Sequence, residues 1–332
     1  MSKYIPNVPF LKGRPVNLEE DDYYSESKQA KVQFYMVGPV GSAKSTIAAG
    51  TVVTCETLSI ILKGFYARVL PRSSYIIADA NNLRLGRFPK KTDPLAPRAA
   101  EAGLLICEQG WREKRVHVPM YDVGGEIFDA FNVTPEIQAR VNNYNRNVVN
   151  AIRDSEGYVV TLSAPDALMF RKSYKEQDVD QYTYNVLSQA FAYKKQAHKK
   201  IEGIALWLTR WDEVMDKAKD IGMDIYEMDD NGRPNQKGLM RFFNNGYPGI
   251  AMLLKPLVNQ GKVKFFRSYF KIKKKEDGVT EETWPLDLDD LDHKPQKVIN
   301  TIVDDTNYIR SKPEYSEQDY ADFIRFMGTF SK

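Results

Sequence analysis

Short apolar runs alternate along the chain with longer stretches in which apolar residues recur at helical spacing. Lys31 to Val37 (KVQFYMV), closed by Gly38-Pro39, reads as a buried strand. Ser45 to about Leu62 has the length and apolar content of a helix packed on a sheet. Residues 63–103 are less regular, punctuated by Pro71, Pro89, Pro94 and Pro97, and predict only short strands. Leu104 to Glu108 and Arg115 to Tyr121 read as two strands about a turn near Gly110, and Glu126 to Asp154 as mostly helical. A strand at Tyr158 to Ser163 (YVVTLS), a long helix over 165–200 and a strand at Ile204 to Leu208 (IALWL) follow. Helices over 211–220 and 237–258 and a strand at Val263 to Arg267 end the alternation. Strands alternating with helices predict an α/β fold, a largely parallel sheet covered on both faces. Such sheets bind ligands beyond the carboxyl ends of their strands, so the residues after each strand matter most.

The ends of the chain read differently. Residues 1–30 predict an extended arm, punctuated by Pro6, Pro9 and Pro15 and ending in the acidic run Glu19 to Asp22. Residues 31–275 form the domain, with room for insertions near 66–100 and 164–200, and 276–332 form an extension. The extension holds an acidic run at Asp287 to Asp292, a helical 296–303 and a last helix with Ser316 as its expected N-cap. Tyr320, Phe323, Ile324 and Met327 share one face of that helix and are expected to pack back on the domain.

Three strand ends carry candidate chemistry. After the first comes Gly38-Pro39-Val40-Gly41-Ser42-Ala43-Lys44-Ser45-Thr46, a phosphate-binding loop in its strand–loop–helix setting. Backbone N–H groups and the helix N-terminus face a β-phosphate, Lys44 balances phosphate charge, and the Ser45 hydroxyl suits Mg²⁺. The strict pattern has glycine where this chain has Ala43, whose methyl disturbs either the phosphates or the loop backbone. After the strand ending at Tyr121 comes Asp122-Val123-Gly124-Gly125-Glu126, where an acid suits a magnesium water and Gly125 lets a backbone N–H approach the γ-phosphate. After Leu208 comes Thr209-Arg210-Trp211-Asp212. A carboxylate there accepts both N1–H and the exocyclic amine of guanine, a pair that adenine does not offer, while the stem of Arg210 covers the base. The alternative is a helix cap by Thr209 or Asp212.

In these three motifs the sequence resembles the Ras-like and translation-factor class of P-loop GTPases, over roughly residues 31–270. Asp122 to Glu126 is similar to the switch II motif of Arf and heterotrimeric Gα proteins, with Glu126 where they carry Gln. Thr209 to Asp212 is similar to their Asn/Thr-Lys-x-Asp motif, with Arg for Lys. The resemblance implies a three-layer, Ras-like P-loop fold and a switch I threonine, for which Thr92 after Gly86-Arg87-Phe88-Pro89 is the candidate. It also implies a guanine-edge loop after the last strand, at Arg267-Ser268-Tyr269, which lacks the usual Ser-Ala pair and makes Ser268 the candidate contact. Ser45, Thr92 and Asp122 would then serve Mg²⁺, and GTP or GDP would be the ligand. The wide spacing from Lys44 to Asp122 and from Asp122 to Asp212, with Phe88-Pro89 before Thr92, is similar to bacterial GTPase-like domains of the double-GTPase and conflict-system type.

Turnover is expected to be slow or absent. Lys44, Thr92 and Glu126 are the catalytic candidates, but Glu126 brings a carboxylate toward a charged γ-phosphate. At about 4 Å and an effective dielectric near 20 that repulsion is about 4 kcal/mol. Val40, facing the γ-phosphate, adds an obstruction to water or an arginine finger. A GTP-dependent switch read by a protein effector is the first functional expectation. An assembly module with a degenerate nucleotide site is the second, and an ATPase the third.

Composition narrows the field without changing it. The 332 residues carry 47 Lys plus Arg against 44 Asp plus Glu, a net charge of +3, so total charge does not favour nucleic acid. The basic runs Lys194 to Lys200 and Lys271 to Lys275 are expected to be solvated element ends, and Asp287 to Asp292 a potential counterpart. Two cysteines and three scattered histidines exclude a disulfide framework and a multi-histidine zinc site. No transmembrane run and no apolar leader are legible, so a cytoplasmic location is expected.

Overall fold

The computed structural model describes residues 32–39, 42–69, 74–84, 98–108, 114–122, 153–168, 173–174, 177–214, 235–276, 279–283 and 314–330. The N-terminal arm and the predicted helix at 296–303 lie outside the described residues, as does nearly all of that at 126–154. Strand β1 (Val32–Val37) leads through the phosphate loop to helix α1 (Lys44–Ile61). Then come β2 (Phe65–Val69), α2 (Ser74–Arg84), β3 (Arg98–Glu108), β4 (Lys114–Asp122) and β5 (Gly157–Ser163). The short α3 (Ala164–Leu168) and the hairpin β6 (Ser173–Tyr174) and β7 (Gln177–Asp178) precede α4 (Val179–Gln196) and β8 (Gly203–Thr209). Helices α5 (Gln236–Gly246) and α6 (Pro248–Asn259) lead to β9 (Val263–Ser268). The chain ends in β10 (Phe270–Glu276), β11 (Val279–Thr283), β12 (Glu314–Tyr315) and α7 (Glu317–Thr329).

The seven-stranded sheet has the order β2-β3-β4-β1-β5-β8-β9. Strands β4, β1, β5, β8 and β9 are parallel, and β3 runs antiparallel to both β2 and β4. Every residue of β5 and β8 is buried, which is why these strands read as continuous apolar runs rather than alternating ones. Period two survives inside the run, because Phe34 and Met36 face one core and Tyr35 and Val37 the other. Helices α1, α2 and α7 cover the first face, and α3, α4, α5 and α6 the second. This is a three-layer α/β fold, P-loop-like in its strand–loop–helix opening. From β1 the chain turns to one side of the sheet and from β4 to the other, so a switch point lies at the carboxyl end of β1.

Several expected elements differ. The helix predicted over 165–200 is α3, a hairpin and α4. The polar run Lys175 to Asp178 has no apolar face to bury, and α4 starts where Val179, Tyr182, Thr183, Val186, Leu187 and Ala190 resume helical spacing. The helix predicted over 237–258 breaks at Tyr247, because the ring of Pro248 disfavours α geometry at the residue before it (φ −133°, ψ 63°). The Asp180 carboxylate then caps α6, accepting from Gly249 N at 2.6 Å and Ile250 N at 2.9 Å. Strand β2 is one of the short strands expected over 63–103, whereas helix α2 was not expected, although Ile76, Ala80 and Leu83 are buried at helical spacing. The run Lys271 to Lys275 is not a free exit but lies in β10, with Lys273 opposite Glu282 and Lys274 opposite Glu281 on β11. The division drawn at residue 275 falls inside this hairpin. In the other basic run Lys194 is buried, which holds its amine below the usual lysine range, and Lys199 pairs with Asp154 at 2.7 Å.

Helix α7 packs back on the domain as its apolar face predicts. Trp207 of β8 stacks on Phe266 at 5.2 Å and meets Tyr320 at 4.6 Å and Phe323 at 5.2 Å. Gly50 permits the approach, since a Cβ there would lie 2.6 Å from the Tyr320 ring. Ser316 occupies the N-cap position but does not cap; its hydroxyl donates to Arg267 O at 2.8 Å. The Asp319 carboxylate accepts from Arg267 N at 3.1 Å and Arg267 Nε at 3.0 Å.

Burial pushes the Asp319 carboxyl up to about 6, against the opposing pull of Arg267. A folded-state value above the ordinary 3.8 means that this group favours folding most when protonated. That contribution declines as pH rises through about 6. Relative to Asp319→Asn, which does not ionise, the wild type should therefore gain up to about 3 kcal/mol between pH 7 and pH 4. Paired urea titrations across that range check this; a constant difference counts against it.

Candidate functional site

The site begins where β1 ends. At Gly38 a Cβ would lie 2.1 Å from Thr161 Oγ1 and 2.6 Å from the Thr161 carbonyl, so only glycine fits against β5. The loop then turns on the Pro39 carbonyl. That oxygen accepts from Ser42 Oγ at 2.7 Å, Lys44 Nζ at 3.0 Å and Ser42 N at 3.3 Å. Lys44 also donates to Gly38 O at 3.0 Å and is 9% exposed, so its ammonium is folded against the loop. Thr46 is buried in the first turn of α1. No side chain caps this helix and no acid lies in its first turn, which leaves its positive end suited to an anion.

Ala43 has φ 61° and ψ 31°, the left-handed region. The loop backbone therefore keeps the shape that glycine would give, with a methyl carried at a cost of about 1–2 kcal/mol. Ala43→Gly is expected to relieve more than it loses through chain entropy, raising Tm by about 1–3 °C. A fall in Tm in thermal unfolding would contradict this.

Asp122 ends β4. The register that pairs Val32 with Val116 brings Asp122 level with Gly38 on the neighbouring strand. On the other side, Val37 pairs with Val160, so Thr161 is level with Gly38 too. Val40, Gly41, Thr92, Gly125 and Glu126 lie outside the described residues.

Beyond β8, Arg210 takes a left-handed backbone (φ 56°), and residues 211–214 are helical. Trp211 is fully buried and meets Phe242 edge-on at 5.0 Å, anchoring the turn. Asp212 is 2% exposed. The Arg210 guanidinium is held as a fork by Glu213, through Nε at 2.7 Å and Nη2 at 2.9 Å, with its side chain about half exposed. The cap alternative does not fit. Thr209 Oγ1 donates to Leu162 O at 3.2 Å, and Asp212 lies within the helical residues rather than ahead of them. Ser268, paired in register with Thr209, is 2% exposed, and its hydroxyl bonds Tyr320 OH at 2.7 Å. Its side chain is thus engaged in the core under α7, which corrects its expected place as a side-chain contact to the base.

Three residues escaped the motif reading. Thr161 bonds Ser42, Tyr247 OH donates to Ser163 O at 2.6 Å, and Glu213 holds Arg210. The signal for Thr161 was a hydroxyl at a mid-strand position of an otherwise largely apolar run. Cys55 takes no part, since burial pushes its thiol up to about 12.

Among the described residues there is no group of three or more His, Cys, Asp or Glu placed to hold a metal, and no helix is long and apolar enough to cross a membrane. No protein-family model and no curated protein matches the chain. Among solved structures it is similar to the signal recognition particle receptor SRb-GTP/SRX complex from Chaetomium thermophilum. The TM-score is 0.34 and the identity 10%, over 73% of this chain and 90% of that one. The fold rests on the strand order, the parallel register and the strand–loop–helix turn at the switch point.

Proposed function

We propose that the chain is a guanine-nucleotide-binding switch with slow intrinsic hydrolysis. The observation that carries this reading is the placement of the Lys44 loop and the buried Asp212 at one carboxyl edge of the sheet, two strands apart. Loop amides from Gly38 to Thr46 and Lys44 would take the phosphates, Asp212 the guanine edge, and Arg210 the base face. The Ser45 hydroxyl, the Asp122 carboxylate and the Thr92 hydroxyl would supply hard oxygen donors of the kind that suits Mg²⁺. When bound, the ion would neutralise phosphate charge. Thr92 and the segment from Asp122 to Glu126 would be the parts ordered by GTP and read by a protein partner. The expected setting is cytoplasmic.

A specific observation favours a second reading, an assembly module with a degenerate nucleotide site. The loop carries the left-handed Ala43, and Glu126 stands where a neutral amide would orient water. Heating purified protein and identifying the released nucleotide by chromatography, together with titration of labelled GTP and GDP with Mg²⁺, separates the readings. Guanine nucleotide bound with unequal affinities supports the switch. Equal affinities, or none at micromolar nucleotide, support the assembly module. Phosphate release well above that of Lys44→Ala would overturn slow hydrolysis, and Glu126→Gln is expected to raise the rate.

A further inference from the structure

We infer that Thr161 is the positioning residue of the phosphate loop, acting through Ser42 to set the Pro39 carbonyl on which Lys44 rests. The inference builds on the guanine-nucleotide reading above and concerns its phosphate half. Strand β5 is buried throughout, and Thr161 itself is 0% exposed. A hydroxyl in that setting is costly unless it is bonded. Its closest partner is Ser42 Oγ at 2.7 Å, while the Val37 carbonyl lies at 3.5 Å.

The direction of the bonds follows from counting protons. Ser42 has one hydroxyl hydrogen, and it goes to Pro39 O at 2.7 Å. With that proton on Pro39 O, the bond between the two hydroxyls runs from Thr161 to Ser42, which the shorter distance favours over Thr161 donating to Val37 O. The result is a directed chain, Thr161 to Ser42 to Pro39 O, ending on the oxygen that also receives Lys44 Nζ. Ser42 is therefore engaged through its hydroxyl in holding the loop, and only its backbone remains for phosphate.

The next two residues of β5 extend the anchorage. Leu162 O accepts from Thr209 of the base-recognition turn, and Ser163 O accepts from Tyr247. One strand end thus holds the phosphate loop through a side chain and the base-recognition turn through its backbone. A bound nucleoside diphosphate would span these two attachments, and the side-chain one is open to substitution without breaking the sheet.

The test is titration of labelled GDP with Mg²⁺ against the full chain, with thermal unfolding of each variant in parallel. Thr161→Val, which keeps the shape and removes the hydroxyl, is expected to weaken binding about tenfold. Thr161→Ser restores the hydroxyl and should bind within about twofold of wild type. Ser42→Ala should lose about as much as Thr161→Val, and the double variant no more than either, because both cut one chain. Wild-type affinity in folded Thr161→Val overturns the inference and leaves the nucleotide reading standing. Failure of the wild type to bind labelled GDP at micromolar concentration overturns both. If Thr161→Val does not fold, the Ser42→Ala and Thr161→Ser pair decides. Loss in the first with retention in the second supports the chain, and any other result overturns it.

Discussion

Gly38→Ala is expected to abolish nucleotide binding and to destabilise the protein by about 3 kcal/mol, the upper end for overpacking a buried position. The new methyl would lie 2.1 Å from Thr161 Oγ1, 2.5 Å from Ser42 Oγ and 2.6 Å from the Thr161 carbonyl. The two hydroxyls can turn away at the cost of their bond. The carbonyl belongs to the backbone of β5, which is paired with β1 on one side and β8 on the other. Relief therefore comes from the loop, whose displacement takes the Pro39 and Lys44 attachments with it. Urea unfolding combined with labelled-nucleotide titration measures both effects. A variant that binds like wild type would show that the loop has room that these distances deny.

The second large effect is expected at Asp212. Its carboxylate would accept two charge-assisted hydrogen bonds from guanine, each contributing about 1.5–3 kcal/mol. Asp212→Ala should therefore weaken guanine nucleotide binding by about 10²–10⁴-fold while changing ATP binding little. Asp212→Asn replaces one acceptor by a donor, which fits the 2-carbonyl of xanthine rather than the amine of guanine, so preference should move toward xanthine nucleotides. Competition of labelled GDP by GTP, XTP and ATP reads all of this at once. Undiminished guanine binding in Asp212→Ala would remove the basis for base selection, and strong ATP binding would point to an ATPase.

The sheet was legible because burial on both faces writes strands as unbroken apolar runs, as in Tyr158 to Ser163 and Ile204 to Leu208. Its helices were less so where one apolar pattern runs through a break. Residues 237–258 keep their helical spacing across Tyr247, and only the local rule for a residue before proline marks the stop there. Helix α2 was hidden among prolines, though Ile76, Ala80 and Leu83 carry its period. At the site, Gly38, Lys44 and Asp212 announce themselves through their motifs. Thr161 does not, because its role depends on which strand lies beside β1, and strand order is not written locally. Ser268 and Ser316 were misread for a related reason: hydroxyls that looked like ligand and cap are taken by Tyr320 and Arg267, tertiary partners far from or across the chain. Thr92, Gly125 and Glu126 lie outside the described residues.

The seating of α7 bears on how the protein is made. The Gly38–Lys44 loop, the Thr209–Asp212 turn and the five parallel strands have all been synthesised by Ser268, yet the Trp207 and Phe266 rings and the flank of α1 at Gly50 pack against Tyr320, Phe323 and Phe326 of α7. A nascent chain stalled on the ribosome before Glu317 thus lacks the α7 rings that pack on this surface. Completion of this face of the sheet is tied to the arrival of the C-terminal helix, and chaperone contact during synthesis should concentrate on this interval.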